Sequence, residues 1–290
     1  MLGFAALGNL LQSYGEGIRY VCGGIATFLL ILVLMKLIMF PEMIKEDFKN
    51  PILASVAATF PMALMLLSTY IKPFIGVGAK YIWYFAIGLH IILIVYFTIK
   101  FLLKLQMPKV FASYFIVYVG IAVAAVTAPA FEELAIGAGA FWFGFLTLIG
   151  LLVLVTIRYM KYKEIPEPAK PLFCIYAAPT SLCVAGYVQS VTPKSREFLL
   201  AMLLVATVLY VLALVKAISY LKLKFYPSYA AFTFPFVISA IATKQTMVCL
   251  ANMKQPIPML RYVVLIETVI AVLFMIYTFI RFLQFNFCRS

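Results

Sequence analysis

The chain has 290 residues, of which 66% are apolar, and its mean hydropathy is +1.08. A water-facing surface does not tolerate this composition, so a soluble domain is excluded and an integral membrane protein is predicted. The formal net charge is +13, but the 23 basic residues are spread along the whole chain rather than gathered in one patch. A nucleic-acid-binding protein is therefore not expected.

Charged residues, prolines and glycines divide the chain into apolar segments of about 20 residues, the length that crosses a hydrocarbon core of about 30 Å. Ten helices are predicted, of which the first is short. They cover approximately residues 1–12, 18–40, 51–71, 80–103, 110–130, 137–159, 169–190, 197–221, 227–247 and 259–284. Ten helices make five hairpins, so the predicted fold is an all-α membrane protein with a single transmembrane domain, residues 1–290.

The first predicted helix lies close to the start of the chain. Extending the hairpin repeat back from Pro61 places the centre of this helix near residues 2–5, so about half of it would precede Met1. A cleaved signal peptide is the alternative, but MLGFAALGNLLQSYG carries no basic residue ahead of its apolar stretch. We therefore expect a first helix that is truncated at its amino end.

The odd-numbered helices share an interruption near their centres. Pro61, Gly120, Pro179 and Pro235 occupy these points at intervals of 59, 59 and 56 residues. A proline in a spanning helix removes an amide donor and displaces a carbonyl, so the bend is tolerated where protein or a water-filled cavity compensates. The odd helices are predicted to form a kinked inner ring around a pore in quasi-fivefold arrangement. The uninterrupted even helices would form an outer ring against lipid.

Hydroxyl side chains accompany the interruptions. Thr180 and Ser181 follow Pro179, and Thr233 lies in the ninth helix beside its proline. Hydroxyls and amides loosened at a kink could solvate a passing anion weakly enough to release it, which would make these residues pore lining. The alternative is that the small residues in these stretches serve close helix packing.

Two phenylalanines stand immediately before kink prolines. Phe234 precedes Pro235, and a bulky ring directed inward at that bend could close a narrow pore by dewetting. Phe60, before Pro61, offers a second ring at a related level. Phe234 is therefore the predicted pore gate.

Ionisable groups inside the predicted spans are few. Glu267 is clearly within a span, whereas Glu132 and Glu133 stand at the end of the fifth helix. Cation pathways normally carry carboxylates on the pore wall, so a neutral or anion-accepting pathway is favoured. Glu267 is expected to pair with a lysine or hydroxyl of a neighbouring helix, with proton coupling as the alternative. His90 is expected to be a hydrogen-bonded structural residue, with a proton relay as the alternative.

The basic residues also predict orientation. Loops after even helices, together with the carboxyl end, hold 15 of the 23 basic residues, and loops after odd helices hold the other eight. These loops are short, so the positive-inside bias applies and places both termini in the cytoplasm, with the reverse topology as the alternative. Four cysteines fall in predicted spans and Cys288 in the tail, without spacing that would hold a metal.

Three segments carry a resemblance to a known family. AFTFPFVISAIA (231–242), APTSLCVAGY (178–187) and FKNP followed by a proline ten residues on (48–61) resemble the tellurite-resistance/dicarboxylate transporter family, which includes plant slow anion channels. The resemblance spans nearly the whole chain, although the fifth helix lacks a central proline. It implies a homotrimer, a pore of five inner helices in each protomer, and a phenylalanine gate at the position of Phe234.

The predicted function is an anion channel that passes chloride, nitrate or similar anions through a phenylalanine-gated pore. The alternative is a proton-coupled transporter of C4-dicarboxylates such as malate, or of sulfite or tellurite. An intramembrane enzyme is not expected, because it would need clustered acidic, His or Cys groups at a membrane face. No cofactor or metal is expected. Small anions, the lipid bilayer and further copies of the chain are the expected partners, in the plasma (inner) membrane.

Overall fold

The computed structural model of the protein describes residues 1–287, so Cys288 lies outside the described part. Ten main helices follow in chain order: α1 Leu2–Leu11, α2 Glu16–Met39, α3 Pro51–Ile75, α4 Gly78–Leu102, α5 Tyr114–Phe131, α6 Leu134–Lys161, α7 Glu167–Ser190, α8 Arg196–Tyr220, α9 Pro227–Asn252 and α10 Leu260–Phe287. A short helix, Pro41–Asp47, lies between α2 and α3. Within the described residues, α2 to α10 are each long and apolar enough to cross a membrane. The predicted all-α membrane fold is confirmed.

The five odd helices form a closed ring. Helix α1 contacts α3, α3 contacts α5, α5 contacts α7, α7 contacts α9, and α9 contacts α1 again. Each even helix packs against the odd helix that precedes it and against the next odd helix around the ring, with α10 returning to α1. The chain is therefore five hairpins in quasi-fivefold arrangement, as predicted.

The two rings differ in burial. Between 56% and 89% of the most apolar stretch is buried in α3, α5, α7 and α9, compared with between 17% and 39% in the even helices. The exposed surface of the even helices is built from large apolar side chains such as Leu146, Val215 and Ile266. A bilayer accepts such a surface, because lipid tails are as apolar as the side chains that face them.

The interruptions of α7 and α9 are changes of helix type. The 3-10 segment Glu167–Ala177 precedes the α-helical segment Ala178–Ser190, and Pro179 lies in the first turn of the latter. In α9 the 3-10 segment Pro227–Phe232 is followed by Phe234–Asn252, with Pro235 again in the first turn. Proline suits a first turn because its fixed φ is helical and its missing amide would have no partner there. These prolines therefore begin an α-helical segment, rather than bending a continuous one.

Helices α3 and α5 are interrupted at the predicted places as well. Two segments, Pro51–Ala57 and Thr59–Ile75, make up α3, with Pro61 near the start of the second. In α5, Gly120 lies within the 3-10 turn Val119–Ile121. The repeat seen in the sequence thus corresponds to a repeated break in the inner ring.

Gly120 is required by close packing rather than by its backbone conformation. A Cβ atom at this position would lie 2.7 Å from Met62 Sδ and 3.0 Å from His90 Cε1. The Nε2 atom of His90 lies 2.9 Å from the Val117 carbonyl oxygen, just before this 3-10 turn. His90 thus has the hydrogen-bonded position expected of a structural histidine, and it ties outer helix α4 to α5.

Candidate transmembrane pathway

Two cavities lie within the inner ring. Cavity 1 has a volume of about 1100 Å³, and its wall includes residues from all five odd helices. Its mouth is built by loops that follow even helices, with Lys49, Pro108, Pro166 and Pro227 among the lining residues. It therefore opens at the membrane face to which the even-numbered helices run.

Cavity 2 has a volume of about 740 Å³ and opens at the opposite face. Residues of the five odd helices line it as well, and its mouth includes Gln12, Ala130, Lys194 and Met253, which lie near the loops that follow odd helices. The two cavities together extend through the ring from one membrane face towards the other.

Among the described residues, two line both cavities: Leu182 of α7 and Phe234 of α9. The side chain of Phe234 is 8% exposed and that of Leu182 is 2% exposed. These two apolar side chains therefore lie at the boundary between cavity 1 and cavity 2. We call them the partition pair.

The direction of Phe234 follows from its helical neighbours. Phe236 stacks on Phe274 of α10 at a centroid distance of 4.6 Å and contacts Tyr210 of α8 at 5.5 Å, and Phe232 contacts Phe274 at 5.7 Å. Phe234 and Phe236 lie in the same α-helical segment and are separated by about 200° around its axis, so Phe234 points away from the outer-helix contacts of Phe236. Packing of its neighbours against the outer ring thus directs Phe234 inward.

The predicted pore residues divide into two groups. Gly120, Pro179 and Pro235 line cavity 1, and Phe234 lines both cavities. The predicted lining residues that reach neither cavity wall are Phe60, Pro61, Thr180, Ser181 and Thr233.

Two hydroxyls of the second group are used inside the protein, whereas Thr180 Oγ1 is buried without a hydrogen-bond partner among the described residues. Ser181 Oγ lies 3.0 Å from Ser239 Oγ and donates to the Ala177 carbonyl at 2.8 Å, where α7 changes helix type. Thr233 donates to the Ala230 carbonyl at 2.7 Å. A change from 3-10 to α-helix leaves carbonyls without regular partners, and nearby hydroxyls satisfy them where water is excluded. Ser181 and Thr233 therefore support the helix breaks from behind the wall.

Cavity 2 carries positive charge. Arg19, Lys194 and Lys244 line it, and no carboxylate belongs to its wall in the described part of the chain. Arg19 forms an ion pair with Glu16 at 3.8 Å, so the uncompensated charge comes from the two lysines. Lys244 Nζ donates to the Leu10 carbonyl at 2.9 Å and to Ser13 Oγ at 2.7 Å, so its partners are neutral. An excess of positive charge in a recess with low-dielectric walls raises the local concentration of anions.

Cavity 1 carries charges of both signs. Lys49 forms an ion pair with Glu46, and Lys109, Arg158 and Glu164 also line the wall. The balance of charge is therefore more positive in cavity 2 than in cavity 1.

Glu267 occupies a separate position. Its side chain is 3% exposed and faces the Thr243 hydroxyl of α9, in agreement with the expected pairing to a hydroxyl. It lines neither cavity, and its Oε2 atom has no hydrogen-bond partner among the described residues. The carboxyl group thus contacts the inner ring from outside.

Leu182 was missed by sequence reasoning. It lies in α7 three residues after Pro179, and one more leucine in an apolar helix carries no distinguishing signal. Lys244 could have been found, because it is a cation inside a predicted inner helix, where ionisable residues are often functional.

Comparison with known proteins agrees with this architecture. A search of curated protein sequences returned no match. The family model described as "voltage-dependent anion channel" matches residues 1–283, nearly the full chain. The protein belongs to this voltage-dependent anion channel family, the tellurite-resistance/dicarboxylate transporter group that its sequence resembles, and is a multi-pass membrane protein of the anion channel and transporter class.

Proposed function

We propose that the chain is an anion channel in which small anions such as chloride or nitrate cross through cavity 1 and cavity 2 and are stopped by the partition pair. The observation that carries this proposal is that Phe234 lines both cavities. In this proposal the two cavities form the rest of the path through the ring, and the partition pair is an apolar constriction between them. Such a constriction blocks ions by dewetting, because the ion would have to shed water without gaining polar contacts.

The charge of the recesses supports an anion as the permeant species. Lys194 and Lys244 on cavity 2 would attract anions and repel cations. No enzymatic activity is proposed.

Replacement of Phe234 by alanine tests the gate. The truncated side chain should open the partition, and each loss of about 1.4 kcal/mol from the permeation barrier raises flux about tenfold. The measurement is chloride and nitrate conductance of protein reconstituted in planar bilayers. Phe60→Ala is the matched control, since Phe60 also precedes a proline in an inner helix but lines neither cavity.

Two results would contradict the proposal. Unchanged conductance of Phe234→Ala would remove Phe234 as the gate. A reversal potential that follows a cation gradient would reject the anion assignment.

A proton-coupled carrier of C4-dicarboxylates, sulfite or tellurite is the second candidate, and buried Glu267 against α9 is the observation that favours it. A carrier needs a titratable group that changes exposure with substrate. Substitution of Glu267 by glutamine should abolish malate uptake driven by a pH gradient if Glu267 couples protons, and should leave anion conductance intact if the chain is a channel.

Further parts of the proposal concern placement and assembly. The positive-inside bias supports cytoplasmic termini in a plasma (inner) membrane, with cavity 1 facing the cytoplasm. We also propose a homotrimer with one pathway in each protomer, as the sequence resemblance implies. Labelling of a cysteine placed in the α6–α7 loop would test the orientation. Mass measurement of the purified complex would test the trimer.

A further inference from the structure

Arg158 is a buried cation at the wall of cavity 1. It lies in the last turns of outer helix α6, and its side chain is 1% exposed. Its Nη2 donates to the Pro108 carbonyl at 3.2 Å and its Nη1 to the Tyr162 carbonyl at 3.4 Å. The guanidinium lies over the Phe111 ring at 4.4 Å and the Tyr159 ring at 4.9 Å. Each of these partners is neutral.

No carboxylate of the described chain forms an ion pair with Arg158. Of the two acidic residues on the cavity 1 wall, Glu46 pairs with Lys49, and Glu164 is solvent exposed. The Nε atom of Arg158 is buried without a hydrogen-bond partner among residues 1–287. Carbonyl dipoles and ring faces stabilise a buried cation, but they do not cancel its charge.

Burial also determines how far this charge acts. Exposed lysines are surrounded by water and mobile ions, which screen them within about 8 Å at physiological ionic strength. A charge held within a low-dielectric wall is screened less, so it acts on ions in the adjoining cavity more strongly than an exposed lysine at the same distance. Lys109, which is exposed at the same mouth, is a weaker source of potential for this reason.

We infer that Arg158 is the fixed charge that makes cavity 1 attractive to small anions, and that it thereby sets anion preference at this mouth of the pathway. The inference rests on the proposed function only in taking the anions it attracts to be the permeant ones. Arg158 acts through its field across the cavity wall, so its charge matters more than its hydrogen-bond geometry.

The test measures the electrostatic potential inside cavity 1 directly. Ile116, which lines cavity 1 and is half-buried, is replaced by cysteine. The background is Cys249→Ser with Cys288→Ser, because Cys249 lines cavity 2, whereas Cys22, Cys174 and Cys183 are buried. The readout is the ratio of reaction rates of this cysteine with a sulfonate-bearing and a trimethylammonium-bearing methanethiosulfonate. Purified protein is used at low salt, which reduces screening of the charges. The readout is a chemical reaction rate, so no current needs to be recorded.

Arg158→Gln should lower the ratio of anionic to cationic reaction about four- to fifteenfold, the range for unit charges about 10 Å apart at effective dielectric constants of about 80 to 40. Arg158→Lys should keep the ratio close to the parent value. Arg281→Gln is the matched control, because Arg281 lies in α10 near the same membrane face but lines neither cavity.

Three outcomes would overturn the inference: an unchanged ratio in Arg158→Gln, an equal loss in Arg158→Lys, or an equal loss in Arg281→Gln. Equal loss in Arg158→Lys would mean that anchoring of the loop at Pro108 is responsible. If Arg158→Gln does not fold, Arg158→His is measured at two pH values, so that one protein provides both charge states. Its ratio of anionic to cationic reaction should rise as pH falls from about 8 to 5, because the imidazole becomes charged.

The same variants separate this inference from the proposed function. A channel that conducts anions with an unchanged thiol-reaction ratio in Arg158→Gln would reject the role of Arg158 alone. A lowered ratio in a protein that carries no anion current would support the role of Arg158 and reject the channel.

Discussion

The outer helices are more apolar than the inner ones, and the two rings obey different constraints. Inner helices α5 and α7 are buried over 78% and 89% of their most apolar stretches, whereas outer helices α2 and α4 are buried over 17%. An inner residue must fit neighbouring protein on most sides, and an outer residue must only be compatible with lipid. Sequence changes of equal size should therefore have large effects on the inner ring and small effects on the outer one, unless the outer side chain faces inward.

The largest effect is expected at a glycine of the inner ring. Gly120→Leu would drive a side chain into Met62 and His90, and overpacking of this kind costs about 2 kcal/mol or more. Gly150→Leu in outer helix α6 should be neutral, since nothing lies within 4 Å of a Cβ built there. Thermal unfolding in detergent measures the stability of both variants. An equal loss of stability in the two would contradict the difference between the rings.

The partition pair gives the second prediction. Leu182→Ala should raise anion conductance, but less than Phe234→Ala, because the smaller change leaves the ring in place. Leu146→Ala on the lipid-facing side of α6 should leave conductance unchanged. Bilayer recordings of the three variants decide the order, and a closed Leu182→Ala channel would confine the gate to Phe234.

An outer helix that faces inward should behave like the inner ring. Trp83 of α4 is fully buried, and its Nε1 donates to Thr127 Oγ1 of α5 at 2.8 Å. Trp83→Phe should cost at least about 1 kcal/mol as measured by unfolding, because it removes a buried hydrogen bond and the smaller ring leaves a cavity. Trp142→Phe, at a position that is 45% exposed on α6, is the control and should have no effect.

The smallest effect is expected from pH at the loop between α5 and α6. Hydrogen bonds from Lys80 and Tyr84 of α4 lower the pKa of Glu133. A carboxyl group whose pKa is depressed by folding adds stability above its unfolded pKa and loses it as pH falls through the folded pKa. Thermal stability should therefore drop slightly on acidification, and Glu133→Gln should remove that part of the pH dependence. If Glu133→Gln loses as much thermal stability on acidification as the parent protein, the pH dependence comes from other groups.

Much of the fold could be predicted from sequence because a bilayer imposes length and apolar composition directly. The predicted span 169–190 corresponds to Glu167–Ser190, and 227–247 begins at the residue where Pro227–Asn252 begins. Inner and outer helices were separable since interruptions such as Pro179 and Pro235 are tolerated only in protein surroundings. Phe234 was accessible to reasoning because it stands beside such an interruption.

The detail of the pathway was less accessible. Ser181 and Thr233 were expected on the pore wall. In the structure their hydroxyls donate to the Ala177 and Ala230 carbonyls beside the helix breaks. Leu182 could not be singled out in the sequence, because it is one leucine among many in an apolar helix. Arg158 could not be singled out either, because other basic residues stand beside it at the helix end.

The sequence alone determined the helix spans, their pairing into hairpins and the alternation of interrupted and continuous helices. It could do so because crossing lipid requires a minimum apolar length and hydrogen bonds satisfied within each helix. The tertiary structure decided which face of each helix turns inward, and hence that Phe234 and Leu182 line both cavities and that Arg158 lies at the wall of cavity 1. Lipid and protein interior are both apolar, so the rotation of a helix about its axis leaves little trace in composition and is settled by packing against its neighbours.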